Sequence, residues 1–187
     1  TGRGGAVVVS GALPAFVNCA FLDNTSADDG SVLFSDNVAL HNDHFSNDDR
    51  YPIVNSIFDG NTGGVPIRIH TSDNDHGPQP EVTYSLFPQS DYPFASNNIT
   101  GDPQLKTDSG VDYLLAELRS FSPLVDAGTD AALRPDDADL DHDGNTSETI
   151  PYDIDREPRI VGDGVDIGPN EYGPEAILRG WVREAGT

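Results

Sequence analysis

Short runs of alternating apolar and polar residues fill the first hundred positions. "VNCAFLDN" (17–24) resembles "VNSIFDGN" (54–61), with weaker copies in "HNDHFSND" (41–48) and "VTYSLFPQS" (82–90). Alternation at period two describes a strand with one buried face. On that reading Val17, Cys19 and Phe21 share a face, and so do Val54, Ser56 and Phe58. "GAVVVSG" (5–11), "SVLFSD" (31–36) and "VPIRIH" (65–70) supply further strands. The pattern predicts strands near 6–10, 16–21, 31–35, 53–58, 65–70 and 82–87, stacked in parallel with Phe21, Phe58 and Phe87 inside.

The runs are about five residues long, β-branched or aromatic, and bounded by Gly, Asn and Asp, which excludes a helical repeat. Phe21 to Phe45 spans 24 residues, Phe45 to Phe58 spans 13, and Phe58 to Phe87 spans 29. Spacings in the twenties signal stacked supersecondary units, and the half-spacing fits a second strand within one unit. No single unit can bury its own apolar face, so the units need each other. The expectation is an all-β solenoid, a parallel β-helix. An antiparallel sandwich would need hairpin signals that are few here.

Near residue 97 the repeat ends. Residues 1–96 read as β-helix coils, 97–173 as an irregular C-terminal capping region, and 174–187 as a short terminal helix. In that tail Ile177, Leu178, Trp181 and Val182 make an apolar stripe. A helix this short is marginal alone, so Ile177, Trp181 and Val182 are expected to dock on the cap or on a partner. The chain opens mid-pattern at "TGRGGAVVVSG", which reads as a mature fragment or the C-terminal part of a longer protein.

Charge narrows the partners. The chain carries 32 acidic and 10 basic residues, a net charge of -22, and 25 of the acids are Asp against 7 Glu. Asp favours turns where Glu favours helices. Nucleic acid needs basic patches, so it is excluded as a partner, and an anionic membrane surface would repel this charge. Divalent cations, salt and basic partners fit. No run of 18 apolar residues exists, so no membrane span is expected. Cys19 is the only cysteine and reads as a small buried apolar residue.

The densest acidic stretch is "DADLDHDGNTSE" (137–148). Asp139, Asp141, Asp143, Gly144, Asn145 and Ser147 follow the EF-hand loop template through its ninth position. Alternating oxygens let a tight turn aim several ligands inward, and calcium takes 6–8 oxygens. The twelfth position is Ile150 rather than Glu, and Pro135 and Pro151 bracket the loop, so flanking helices are excluded. What remains is a helix-free calcium loop of Asp139, Asp141, Asp143 and the Asn145 carbonyl, completed by Glu148 or Asp153. The alternative is a solvated acidic turn.

"NITGDPQL", "DYLLAELRSFSPLVDAG" and "DIDREPRIVGDGVDIGPNEY" together resemble the C-terminal region of bacterial surface proteins with a choice-of-anchor Q domain. "NCAFLDN" and "NSIFDGN" resemble coils of right-handed parallel β-helix proteins, including polymorphic outer-membrane-protein-like repeats. The resemblance covers residues 4–173. It implies a right-handed β-helix with a C-terminal cap, secreted or at the cell surface, and does not imply a catalytic activity. Partners would be other copies or surface proteins of the same assembly.

The competing function is a carbohydrate-active or glycan-binding β-helix. "IRIH" puts Arg68 and His70 on one strand face, and His41 and His44 fall on a neighbouring coil. Cleavage of a uronic polysaccharide needs such a base beside an acid or calcium cluster. The negative charge argues against an acidic polysaccharide, and exposed polar decoration explains these residues as well. No Ser/His/Asp spacing, phosphate loop or His/Cys metal cluster is present. A structural or adhesive module, a glycan-active β-helix and a filament or layer subunit are the readings that stand.

Overall fold

The computed structural model describes residues 5–10, 12–27, 30–36, 49–70, 78–107 and 116–173. Among these residues nine short strands form three sheets: β1 (Val7–Ser10), β2 (Phe16–Val17), β3 (Ala20–Leu22), β4 (Leu33–Asp36), β5 (Arg50–Val54), β6 (Ile57–Asp59), β7 (Ile67–His70), β8 (Gln79–Thr83) and β9 (Ala95–Ser96). Sheet A runs β1-β4-β7, sheet B runs β2-β5-β8-β9, and sheet C pairs β3 with β6. Every strand ladder among the described residues is parallel. Leu86 continues sheet C by a parallel bridge to Ile57, and Ile99 by another to Leu86. Twice the chain passes from A to B to C and back to A, and after the third pass through B and C it rejoins sheet B at β9 without a further strand in A. Among the described residues the helical structure is a 3-10 turn over Asp130–Ala132.

Tier lengths are uneven, because the connections absorb the differences. Val7 pairs with Leu33 and Leu33 with Ile67, whereas Phe16 pairs with Ile53 and Arg50 with Gln79. Phe21 lies beside Phe58; the weaker copy of the repeat expected between them in sequence is "HNDHFSND". That stretch, with His41 and His44, lies outside the described residues.

Two predicted strands are each two strands joined by a sharp corner, and the third is β8 followed past a corner by the bridging Leu86. Asn18 (φ 53), Asn55 (φ 50) and Tyr84 (φ 47) sit in the left-handed region between sheets B and C, and Asn97 (φ 55) extends the series. Asn tolerates that region better than most residues. The corner resets the alternation. Ile53, not Val54, joins Phe58 in the interior, and Ile57 faces the opposite way. Cys19, Ser56 and Ser85 follow these corners and form a ladder. Cys19 N–H donates to Ser56 Oγ (3.2 Å), Ser56 N–H to Ser85 Oγ (3.0 Å), and Ser85 N–H to Asn98 Oδ1 (2.9 Å). The Cys19 thiol donates to the Val17 carbonyl, and burial pushes it up, away from a reactive thiolate.

The interior core takes side chains from all three sheets: Val9, Leu33 and Ile67 from A, Ile53 and Val82 from B, Phe21 and Phe58 from C. An aromatic file runs through it. Ring centroids lie 5.0 Å apart for Phe21–Phe58, 5.1 Å for Phe58–Phe87 and 5.7 Å for Phe87–Tyr92. The three predicted phenylalanines are all buried.

A second core covers the outward side of sheet C. Ile57 and Leu86 meet Leu105, Leu118, Leu124 and Ile167 there. Two motifs of the C-terminal region build this cover by docking on each other. From "SPLVDAG", Leu124 O accepts from Ile167 N–H (3.0 Å) and Gly128 N–H donates to Val165 O (2.9 Å). Asp126 Oδ1 accepts from Asp163 and Gly164 N–H, while Asp126 N–H donates to Asp166 Oδ1. The pair is fastened to the corners. Asn55 Oδ1 accepts from Thr129 N–H (2.8 Å), Asn55 Nδ2 donates to Thr129 O, and Asn18 Nδ2 donates to Gly168 O. Gly168 (φ 125) lies so close that a Cβ would come 2.7 Å from Ile57 Cδ1.

Beneath "VDIGPNEY" is a buried polar knot. Arg159, 3% exposed, pairs with Glu171 and donates to the Pro169 (2.9 Å) and Gly168 (3.2 Å) carbonyls. Glu171 Oε1 accepts from Asp166 N–H (3.1 Å), and Asp166 Oδ2 from Tyr172 N–H (2.6 Å). Burial pushes Glu171 up to about 7, Arg159 pulling against it and Asp166 adding to it. Burial also raises Asp166.

Candidate cation-binding loop

Residues 135–149 form a closed bracket. Pro135 and Thr149 make an antiparallel bridge. Asp136 N–H donates to Glu148 O (2.7 Å) and Ile150 N–H to Arg134 O (3.0 Å). Between these rungs the chain turns repeatedly, with left-handed residues at Asp139 (φ 51), His142 (φ 63) and Gly144 (φ 87). A Cβ at Gly144 would meet nothing within 4 Å, so glycine serves the backbone angle and not the space.

Short acidic side chains organise the turns by accepting backbone N–H groups two to five residues ahead. Asp139 Oδ1 accepts from Gly144 (3.1 Å), Asp141 Oδ1 from Asp143 (3.2 Å), and Asp143 Oδ1 from Asn145 (2.7 Å). Asn145 Oδ1 accepts from Ser147 N–H and Oγ–H, and Asn145 Nδ2 donates to Glu148 Oε2 (3.0 Å). The loop thus folds with its carboxylates gathered. Oxygens of Asp139, Asp141 and Asp143 lie within 4.8 Å of one another, and so do oxygens of Asp136, Asp141 and Glu148. These two clusters could each hold a metal ion. Lost hydration, then Asp143 and Asp141, hold Glu148 above the ordinary carboxylate range.

Four of the six expected ligands, Asp139, Asp141, Asp143 and Glu148, fall in these clusters, with Asn145 on the same turn. Asp153 belongs to neither. Its Oδ1 accepts from Asp155 and Glu157 N–H and its Oδ2 from Glu171 N–H (2.9 Å), which ties the next turn to the polar knot. Asp153 and Asp141 do face a common hollow of about 710 Å³, which Tyr152 and Ile154 also line. Sequence reasoning missed Asp136. It sits outside the EF-hand spacing, and only the closing bridge brings it under the loop.

The other candidates stand elsewhere. His70 Nδ1 lies 3.3 Å from Asp36 Oδ1, with its ring 5.6 Å from Phe34, on sheet A. Arg68 is exposed on the same strand. Ile177, Trp181 and Val182 lie outside the described residues. Among the described residues no helix is long and apolar enough to cross a membrane.

Comparison with protein families, characterised proteins and solved structures finds no match to this chain.

Proposed function

We propose that this chain is a structural or adhesive module of a secreted or cell-surface protein. It is a right-handed parallel β-helix with a choice-of-anchor Q type C-terminal region, works without catalysis, and is stabilised by calcium in the 135–149 loop. The observation that carries this reading is the side-chain economy of the stack. Polar groups along its corners are spent on ladders between tiers and on fastening the C-terminal cover, while the carboxylate clusters that could hold a metal ion gather on that cover. A stiff stack fits a spacer or display role, and its partners are other copies or surface proteins of one assembly. The order in which the strands return to sheets A, B and C, and the core they share, support the β-helix reading.

Calcium is the cation of choice because the ligands are numerous, flexible and all oxygen, whereas magnesium demands a near-ideal octahedron and keeps its waters. An ion that binds only the folded loop stabilises it by mass action, about 2.7 kcal/mol at a hundredfold excess over Kd. In a chain this size that corresponds to roughly 5–10 °C in Tm. Chelation is therefore expected to lower Tm by that amount, and Asp141→Asn with Asp143→Asn to abolish the sensitivity. A wild-type melting curve indifferent to both chelator and added calcium would overturn the calcium reading.

A further inference from the structure

We infer that the loop's principal cation position is an inner one, held by Asp136, Asp141 and Glu148, and that the EF-hand-like set Asp139, Asp141 and Asp143 plays a subsidiary part. This rests on the calcium reading above and goes further by naming the anchor ligand. Asp136 is 1% exposed, and its Oδ1 is buried with no hydrogen-bond partner. Its Oδ2 accepts from Leu140 N–H (2.7 Å), so Oδ1 is the oxygen it has to offer an ion. Leaving a buried carboxylate oxygen unsatisfied is costly. Asp136, Asp141 and Glu148 bring oxygens within 4.8 Å of one another, and a divalent ion among them supplies the missing partner.

The inner set is also the better organised. Asp136 N–H already donates to Glu148 O across the closing bridge, so two of the three ligand residues are fixed relative to each other before an ion arrives. Holding ligands in place beforehand lowers the ordering cost of binding. The outer set differs. Its three carboxylates each accept a backbone N–H through Oδ1, and Asp143 is exposed to water. In both sets one oxygen of each carboxylate already has a partner, and what sets the inner one apart is the buried, unpartnered Oδ1 of Asp136. Asp141 belongs to both sets and links them.

The test is calorimetric titration of the full chain with calcium chloride after chelator treatment, repeated for Asp136→Asn, Glu148→Gln and Asp143→Asn. Asn at 136 keeps an oxygen for Leu140 N–H, and Glu148 stands at the loop's edge, so Glu148→Gln decides the matter if Asp136→Asn folds poorly. Losing a charged ligand is worth roughly a tenfold change or more. The inner position predicts at least about tenfold weaker binding for both Asp136→Asn and Glu148→Gln, with Asp143→Asn within about threefold of wild type. Weak binding by Asp143→Asn beside near-normal binding by Glu148→Gln would overturn the inner assignment while leaving the calcium reading intact. Absence of calcium binding by the wild type would remove both.

Discussion

Replacing Phe58 by alanine is expected to lower stability by about 3–5 kcal/mol. Phe58 is 2% exposed and stands in the middle of the aromatic file, between Phe21 and Phe87. Its loss removes the transfer free energy of a large ring and leaves a cavity that tiers on both sides cannot close. Each aromatic contact adds about 0.5–1.5 kcal/mol beyond the buried area. The strand itself survives, because its backbone ladder to β3 does not depend on the ring. Domains hold only about 5–15 kcal/mol in total, so the variant should sit close to unfolding at 37 °C. Urea denaturation with an unchanged m-value and a midpoint shift of that size is the expected result. A loss under about 1 kcal/mol would mean that the interior is not packed around this file.

The second large effect belongs to Glu171. Above pH 7, where Glu171 is ionised, Glu171→Ala strips Arg159 of its buried counter-charge and Asp166 N–H of its acceptor. Breaking one partner out of a buried pair costs about 3–5 kcal/mol. The same residue gives stability a pH dependence. Burial raises its folded value to about 7 from the ordinary 4.5, with Arg159 opposing and Asp166 reinforcing. Between those values the folded chain holds a proton that the unfolded chain has released. This contribution is therefore fully present below about pH 4.5 and is lost as pH rises through 7. Asp166, raised by the same burial, acts with the same sign. Glu171→Gln keeps an oxygen for Asp166 N–H and removes the titration. Unfolding free energies measured from pH 4.5 to 8 should fall less steeply for Glu171→Gln than for wild type. Parallel slopes would show that Glu171 titrates normally.

The parallel stacking and the buried phenylalanines were legible because period-two alternation reports directly on which face is buried. The corners were not. Asn18 and Asn55 look like polar positions in a continuous strand, yet each adopts a left-handed angle that ends one strand and starts another. An Asn flanked by apolar residues carries no mark separating those roles, so the face assignment slipped from Ile53 to Val54. In the loop, Asp139, Asp141 and Asp143 could be read because their ligand spacing is local. Asp136 could not, since its place follows from the Pro135–Thr149 bridge, a contact between residues far apart in sequence. Likewise "SPLVDAG" and "VDIGPNEY" were visible as motifs, but their mutual docking depends on hydrogen bonds that cross some 40 residues, such as Asp126 N–H to Asp166 Oδ1.

Native-state hydrogen exchange with and without calcium reads the loop and the stack in one experiment. The amides of Leu140, Asp143, Gly144 and Asn145 donate to the side chains gathered in the loop. Those of Cys19, Ser56 and Ser85 lie in the ladder between tiers. Calcium should slow exchange of the loop amides by roughly a hundredfold at a hundredfold excess over Kd, while the ladder amides stay protected with or without it. Loop amides that exchange at the same rate in calcium and in chelator would contradict a calcium-stabilised module, and ladder amides that exchange freely would contradict the stack beneath it.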